Sequence, residues 1–151
     1  MIVLYKKAAD FSLQDQHGVI HTLSQYEGKK VLVYFYPKDD TPGCTTEACS
    51  FRDNYEALKE LGLVVLGISK DTVKSHKKFV EKYDLPFPLL SDEDGSVCQA
   101  YGVWKLKKFM GREYMGISRE SFLIDEHGDI AKVYQEVKPK EHVGEVIVDS
   151  A

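Results

Sequence analysis

Cysteine is scarce in this sequence: there are three in 151 residues, Cys44, Cys49 and Cys98. So small and odd a set excludes the disulfide framework that staples small secreted domains. No apolar run approaches the roughly 18 residues of a membrane span, and no membrane partner is expected. An excess of positive charge is missing too. Lys and Arg number 20 against 24 Asp and Glu, for a formal net charge of -4. Phosphate neutralisation needs clustered cations, so no nucleic-acid partner is expected. Internal repeats, low-complexity stretches and dividing linkers are absent. The opening residues, Met1 to Lys7, are too short and too early charged for a secretory signal, and the expected compartment is the cytoplasm.

What is present is an ordinary globular composition, 43% hydrophobic and 29% charged, at a length that fits one domain over residues 1–151. Asp10 to Leu23, with Asp15-Gln16-His17-Gly18 inside, reads as a short hairpin. Lys30 to Tyr36 is apolar on both faces, as a central buried strand should be, and Pro37 ends it. A loop and a helical segment from about Cys44 to Leu61 follow. Leu63 to Ser69 is a second buried strand. Asp71 or Thr72 can cap the next helix, which ends near Tyr83 and carries Val73, His76, Phe79, Val80 and Tyr83 on one face.

Residues 86–90 read as extended, and residues 93–101 as a short helix. Ser121 to Asp125 and Ile130 to Tyr134 read as an antiparallel hairpin. A last helix over about residues 140–148 is expected, although its β-branched, glycine-bearing tail is a weak helix former. This order predicts a thioredoxin-like α/β sandwich: a central mixed β-sheet flanked by helices, with an N-terminal β-hairpin.

The chemistry concentrates in Tyr36-Pro37-Lys38-Asp39-Asp40-Thr41-Pro42-Gly43-Cys44-Thr45-Thr46-Glu47-Ala48-Cys49, where a buried strand gives way to a helix. Sites in open α/β sheets form at such strand ends. A cysteine in the first helical turn meets unpaired N–H groups and the positive end of the macrodipole, and both favour thiolate over thiol. Thr41 lies three residues earlier, and its hydroxyl can reach the sulfur or an oxygen held beside it. Pro37 and Pro42 restrict the loop, and the Pro37 ring could shield the sulfur from water.

Cys49 stands five positions beyond Cys44. On an ideal helix their Cα atoms are roughly 8–9 Å apart, beyond the roughly 4.4–6.8 Å of a disulfide. If the two thiols bond, the first turns of the helix must unwind. Cys49 as a plain buried helix residue is the other reading.

This run resembles the active site of the peroxiredoxins, in particular the bacterioferritin comigratory protein or peroxiredoxin Q group. The family pattern Pro-x-x-x-Thr-x-x-Cys falls on Pro37, Thr41 and Cys44. Glu47 matches the family glutamate, Cys49 the resolving cysteine, and Arg119, in Ser118-Arg119-Glu120-Ser121, the arginine that flanks the thiolate. The likeness covers residues 8 to about 136. Ala8-Ala9-Asp10-Phe11 lacks the proline usual there, and the tail beyond His142 matches poorly.

The resemblance implies a thiol peroxidase that reduces hydrogen peroxide or organic hydroperoxides in antioxidant defence. Cys44 becomes a sulfenic acid, Cys49 resolves it as a disulfide, and thioredoxin or a similar dithiol re-reduces it. Arg119 would supply fixed positive charge. No metal, flavin or haem is implied, and a monomer is expected.

Other readings stand beside these. Zinc would need two more ligands, and His17, His21, His76, His127 and His142 read as turn or surface residues. Cys98 reads as a core bystander, with alternative resolving cysteine as the other role. Glu47 could serve only the helix N-terminus, and Arg119 could be a surface residue. Residues 104–112 form a basic, aromatic stretch that reads as a solvated loop, with a docking face as the alternative. A thiol–disulfide oxidoreductase usually carries Cys-x-x-Cys, whereas the spacing here is Cys-x4-Cys. A redox-switched binding module or holdase remains a competing function.

Overall fold

The computed structural model describes residues 3–151. Met1 and Ile2, the start of the segment read above for its early charge, lie outside the described residues. The chain runs β1 (Ser12–Gln14), β2 (Ile20–Thr22), β3 (Lys30–Phe35), α1 (Pro42–Asp53), α2 (Tyr55–Glu60), β4 (Leu63–Ser69), α3 (Val73–Tyr83), β5 (Leu89–Ser91) and α4 (Ser96–Ala100). It continues with β6 (Trp104–Phe109), β7 (Arg112–Ile117), β8 (Glu120–Ile124), β9 (Ile130–Tyr134) and α5 (His142–Ser150). Seven strands form one sheet in the order β2-β1-β5-β4-β3-β8-β9. β3, β4 and β5 run parallel, while β8 is antiparallel to β3 and β1 to β5. The mixed sheet flanked by helices and the N-terminal hairpin agree with the sequence reading.

Strand alternation sorts the core into two layers. Val31, Val33 and Phe35 of β3 face one way, with Leu66, Ile68, Phe122, Cys98 and Tyr101. Leu32 and Tyr34 face the other, where α1 adds Cys44, Ala48 and Phe51, α2 Leu58, α3 Phe79 and α5 Val143 and Val146. Gly67 of β4 makes room for this second layer, since a β-carbon there would stand 2.8 Å from Leu89 Cδ2 and 2.9 Å from Tyr34 Cζ.

Three expectations change. The helix read over residues 44–61 starts earlier, at Pro42, and is two helices broken at Asn54, whose Nδ2 donates to Ser50 O at 2.8 Å. A side-chain donor competing for the helical carbonyl is a known breaker. The basic stretch read as a solvated loop is β6, paired with β7 in a separate two-stranded sheet. Finally, two of the five histidines are core residues: His76 and His142 are both 0% exposed. The tail does form a helix, because Val143 and Val146 bury against the second layer; packing outweighs its weak propensity.

Thr72, rather than Asp71, caps α3, accepting from Ser75 N at 3.0 Å.

Candidate active site

Thr41 is the extended residue before α1, Pro42 its first residue, and Cys44 its third. Proline costs nothing at that position, because its missing N–H would have no helical partner. The N–H groups of Gly43 and Cys44 lie in the turn where no helical carbonyl is available. Thr41 does not cap with its side chain; its hydroxyl donates to Lys38 O at 2.8 Å. The sequence reading let that hydroxyl reach the sulfur or an oxygen held beside it. Its proton is instead spent on the loop, so its oxygen can serve the site only as an acceptor.

Cys44 is buried, 2% exposed, but its surroundings are not hydrocarbon alone. Arg119, between β7 and β8, places Nη2 at 3.4 Å from Sγ, while its Nη1 donates to Glu47 Oε1 at 2.8 Å. One guanidinium thus bridges the thiol and a carboxylate one helical turn on. Burial works against the Arg119 charge, but Glu47 and Cys44 together raise its pKa.

Glu47 is fully buried, and burial pushes its carboxyl up to about 7 even against the Arg119 charge. Among the described residues its second oxygen, Oε2, has no hydrogen-bond partner, and neither has the Tyr34 hydroxyl. The Tyr34 hydroxyl is driven well above its usual pKa by burial, with Glu47 and Cys44 adding. Lys107 of β6 donates to Ile117 O at 3.0 Å. Its pKa is lowered by burial and by Arg119, with Cys44 opposing. A cleft of about 400 Å³ opens beside the first turn of α1, lined by Pro42, Gly43, Thr46 and Lys138 to Glu141.

The structure thus brings Cys44, Glu47 and Arg119 into contact and keeps Thr41 at the helix start. Pro37 is half-buried in the same loop. Cys49 is half-buried within the unbroken α1, and all three cysteines are free. The sequence reading missed Tyr34, Lys107 and the nearby His142. Tyr34 was visible only as an aromatic residue in a buried strand. The other two depend on the β6–β7 pairing and on the docking of α5. Cys98 is buried away from this cluster, packed with Tyr101 and Val103, and burial drives its thiol strongly upward, with Asp92 adding.

The loop is braced from behind. Asp39 accepts from the Tyr36 hydroxyl at 2.6 Å and the Ser75 hydroxyl at 2.8 Å, and His76 Nδ1 lies 2.8 Å from its Oδ2. The Asp39 N–H donates to Asp71 at 2.9 Å. Asp40, at φ 55, is held by Lys82 at 2.7 Å and the Tyr83 hydroxyl at 2.8 Å. Asp39, Asp71 and His76 have ligand-type atoms within 4.8 Å of one another. Those atoms are already engaged in hydrogen bonds, so the trio reads as a brace between the loop and α3.

Comparison with known proteins fits this geometry. Residues 4–133 match the model of the AhpC/TSA family. Peroxiredoxin Bcp of Bacillus subtilis is 51% identical over 146 residues, 97% of this chain and 93% of that one. Peroxiredoxin Bcp of Escherichia coli is 52% identical over 135 residues, 89% and 86% of the two chains. Among solved structures, the bacterioferritin comigratory protein of Xanthomonas campestris superposes with a TM-score of 0.91 at 35% identity, covering 99% of this chain and 96% of that one. That protein's alkyl peroxide reduction activity has been studied through trapped intermediate and ligand complexes.

Proposed function

This chain belongs to the AhpC/TSA family, as a peroxiredoxin of the Bcp or peroxiredoxin Q group, and from that we propose that Cys44 is the sulfur on which its thiol peroxidase activity turns. The enzyme takes a peroxide substrate and a thiol reductant. The observation that carries the assignment is the Arg119 guanidinium, 3.4 Å from Sγ and fixed from its far side by Glu47. It offers a fixed positive charge to the thiolate and to the charge that develops as the O–O bond breaks.

The Cys44 thiolate attacks one peroxide oxygen; an S–O bond forms, the O–O bond breaks, and the sulfur is oxidised to sulfenic acid. The departing alkoxide or hydroxide takes a proton and leaves as alcohol or water. The Thr41 oxygen, its own proton engaged by Lys38, accepts from the peroxide O–H and orients it. Pro37 limits water at the sulfur.

The Cys49 thiol then attacks the sulfenic sulfur, forming a disulfide and releasing water. Both residues sit in one continuous helix, so α1 unwinds locally before they meet. A thioredoxin or similar dithiol restores both thiols by exchange. We place this cycle in a monomeric, single-domain, cytoplasmic enzyme of antioxidant defence.

Stopped-flow mixing of the reduced protein with hydrogen peroxide tests the assignment. Cys44→Ser should lose all fast reaction. Cys49→Ser should consume one equivalent and stall as sulfenic acid. Wild-type rates in Cys44→Ser would refute it.

A further inference from the structure

The β6–β7 hairpin stands outside the main sheet, and beyond its base of Trp104 and Ile117 its apolar side chains face solvent. Leu106, Phe109, Met110, Tyr114 and Met115 are all exposed, Phe109 at 65% and Met110 at 88%. The register closes on Phe109 opposite Arg112, leaving Met110 and Gly111 as a two-residue loop. Both have positive φ, 52° and 76°. Turns of this kind favour Asn, Asp or Gly at the first loop position. A methionine there is neither conformationally preferred nor buried, so its presence calls for a use outside the fold.

The register also sorts the two faces. Leu106 pairs with Met115 on the face whose base is Trp104 and Ile117. Tyr114 pairs with Lys107, and Phe109 with Arg112, on the other face. Apolar groups therefore occupy both faces and the tip. Burying both faces and the tip together needs a medium that surrounds the ribbon, as a lipid headgroup layer does. The hairpin also carries four cations, Lys105, Lys107, Lys108 and Arg112, against the one carboxylate Glu113, in a chain of net charge -4. Lys105 is paired with Glu120 at 2.7 Å and Lys107 with Ile117 O. Lys108 reaches Glu113 only at 3.6 Å, and Arg112 has no ion pair among the described residues. Two cations thus flank the tip, available to phosphate headgroups.

We propose that this hairpin docks the protein on an anionic lipid surface, with Phe109 and Met110 entering the headgroup region and Lys108 and Arg112 pairing with lipid phosphates. The contact is peripheral: no helix of the described residues is long and apolar enough to cross a membrane. It revises the expectation of no membrane partner. It does not depend on the peroxidase chemistry.

Co-sedimentation with vesicles tests it. The full chain should bind vesicles of mixed phosphatidylglycerol and phosphatidylcholine and not those of phosphatidylcholine alone. Added salt should weaken binding. Phe109→Asp with Met110→Asp should lower the bound fraction about tenfold or more, and Lys108→Glu with Arg112→Glu should do the same. Both variants should retain the wild-type rate with hydrogen peroxide, which shows the fold intact. The proposal is overturned if the wild type does not sediment with anionic vesicles, if it binds both vesicle types equally, or if the tip substitutions leave binding unchanged.

Discussion

A β-carbon on Gly43 would stand 3.0 Å from Arg119 Nη2 and 3.6 Å from Pro139 Cγ. The glycine therefore leaves space for the guanidinium to reach the sulfur. Gly43→Ala improves helix propensity by up to about 1 kcal/mol, yet it pushes Arg119 off its mark. The expected outcome is a melting temperature equal to or above wild type, with the peroxide reaction slowed by about tenfold to a hundredfold. Equal rates in the two proteins would show that Arg119 does not need that position. The same residue scale shows what the sequence made readable. Pro37, Thr41 and Cys44 form a local pattern and were legible as one. The contact of Glu47 with Arg119 spans distant segments and was not legible: resemblance named the two residues one by one, and their pairing emerges only in the folded chain. The acceptor of the Thr41 hydroxyl proton was not legible because it is a backbone carbonyl, which carries no sequence signature.

At the scale of the element, α1 is short and has definite ends. Its 12 residues run from Pro42 to the break at Asn54, a length at which helices of about 12–15 residues are marginal without tertiary support. That support comes from Ala48 and Phe51 in the second core layer. Equimolar hydrogen peroxide should therefore abolish amide-exchange protection between Cys44 and Cys49 while leaving β3 and β4 protected. The Cys49→Ser protein should keep its protection after the same treatment. Protection that survives disulfide formation would rule out unwinding as the route. The boundary at Asn54 was not visible in the hydrophobic pattern, because apolar spacing continues through Leu58 while the break depends on one amide finding Ser50 O. The β6–β7 hairpin was missed for a related reason. The apolar–polar alternation of Trp104 to Lys107 breaks at Lys108, and the apolar residues beyond fall on both faces, so the run is too short to mark a half-buried strand.

For the whole molecule, two buried groups act on pH stability in opposite directions. Burial raises Glu47 from 4.5 to about 7, so its contribution is full below 4.5 and is lost as pH rises through about 7. Burial, with Arg119 adding, lowers His142 from 6.5 to about 4, so its contribution is full above 6.5 and is lost as pH falls through about 4. Each slope is at most about 1.4 kcal/mol per pH unit. Between pH 4.5 and 6.5 the two largely offset each other. Carboxylates that hydrogen bonds hold below the usual range, such as Asp40 and Asp149, act below that window. Urea denaturation across it should give a nearly flat wild-type profile. His142→Gln should lose stability as pH rises, and Glu47→Gln should lose it as pH falls. Parallel curves for all three proteins would contradict the balance.

The layered architecture was legible at this scale because buried strands and helices differ in period. The burial of His76 and His142 was not, since a histidine's partners, here Asp39 and Ser121, are chosen by the assembled fold.

Arg119 and Cys44 lie 75 positions apart in the chain. During synthesis the thiol leaves the ribosome long before its guanidinium exists. If Arg119 stabilises the Cys44 thiolate as proposed, a half-made polypeptide lacks that guanidinium until translation has passed residue 119 and that segment has docked.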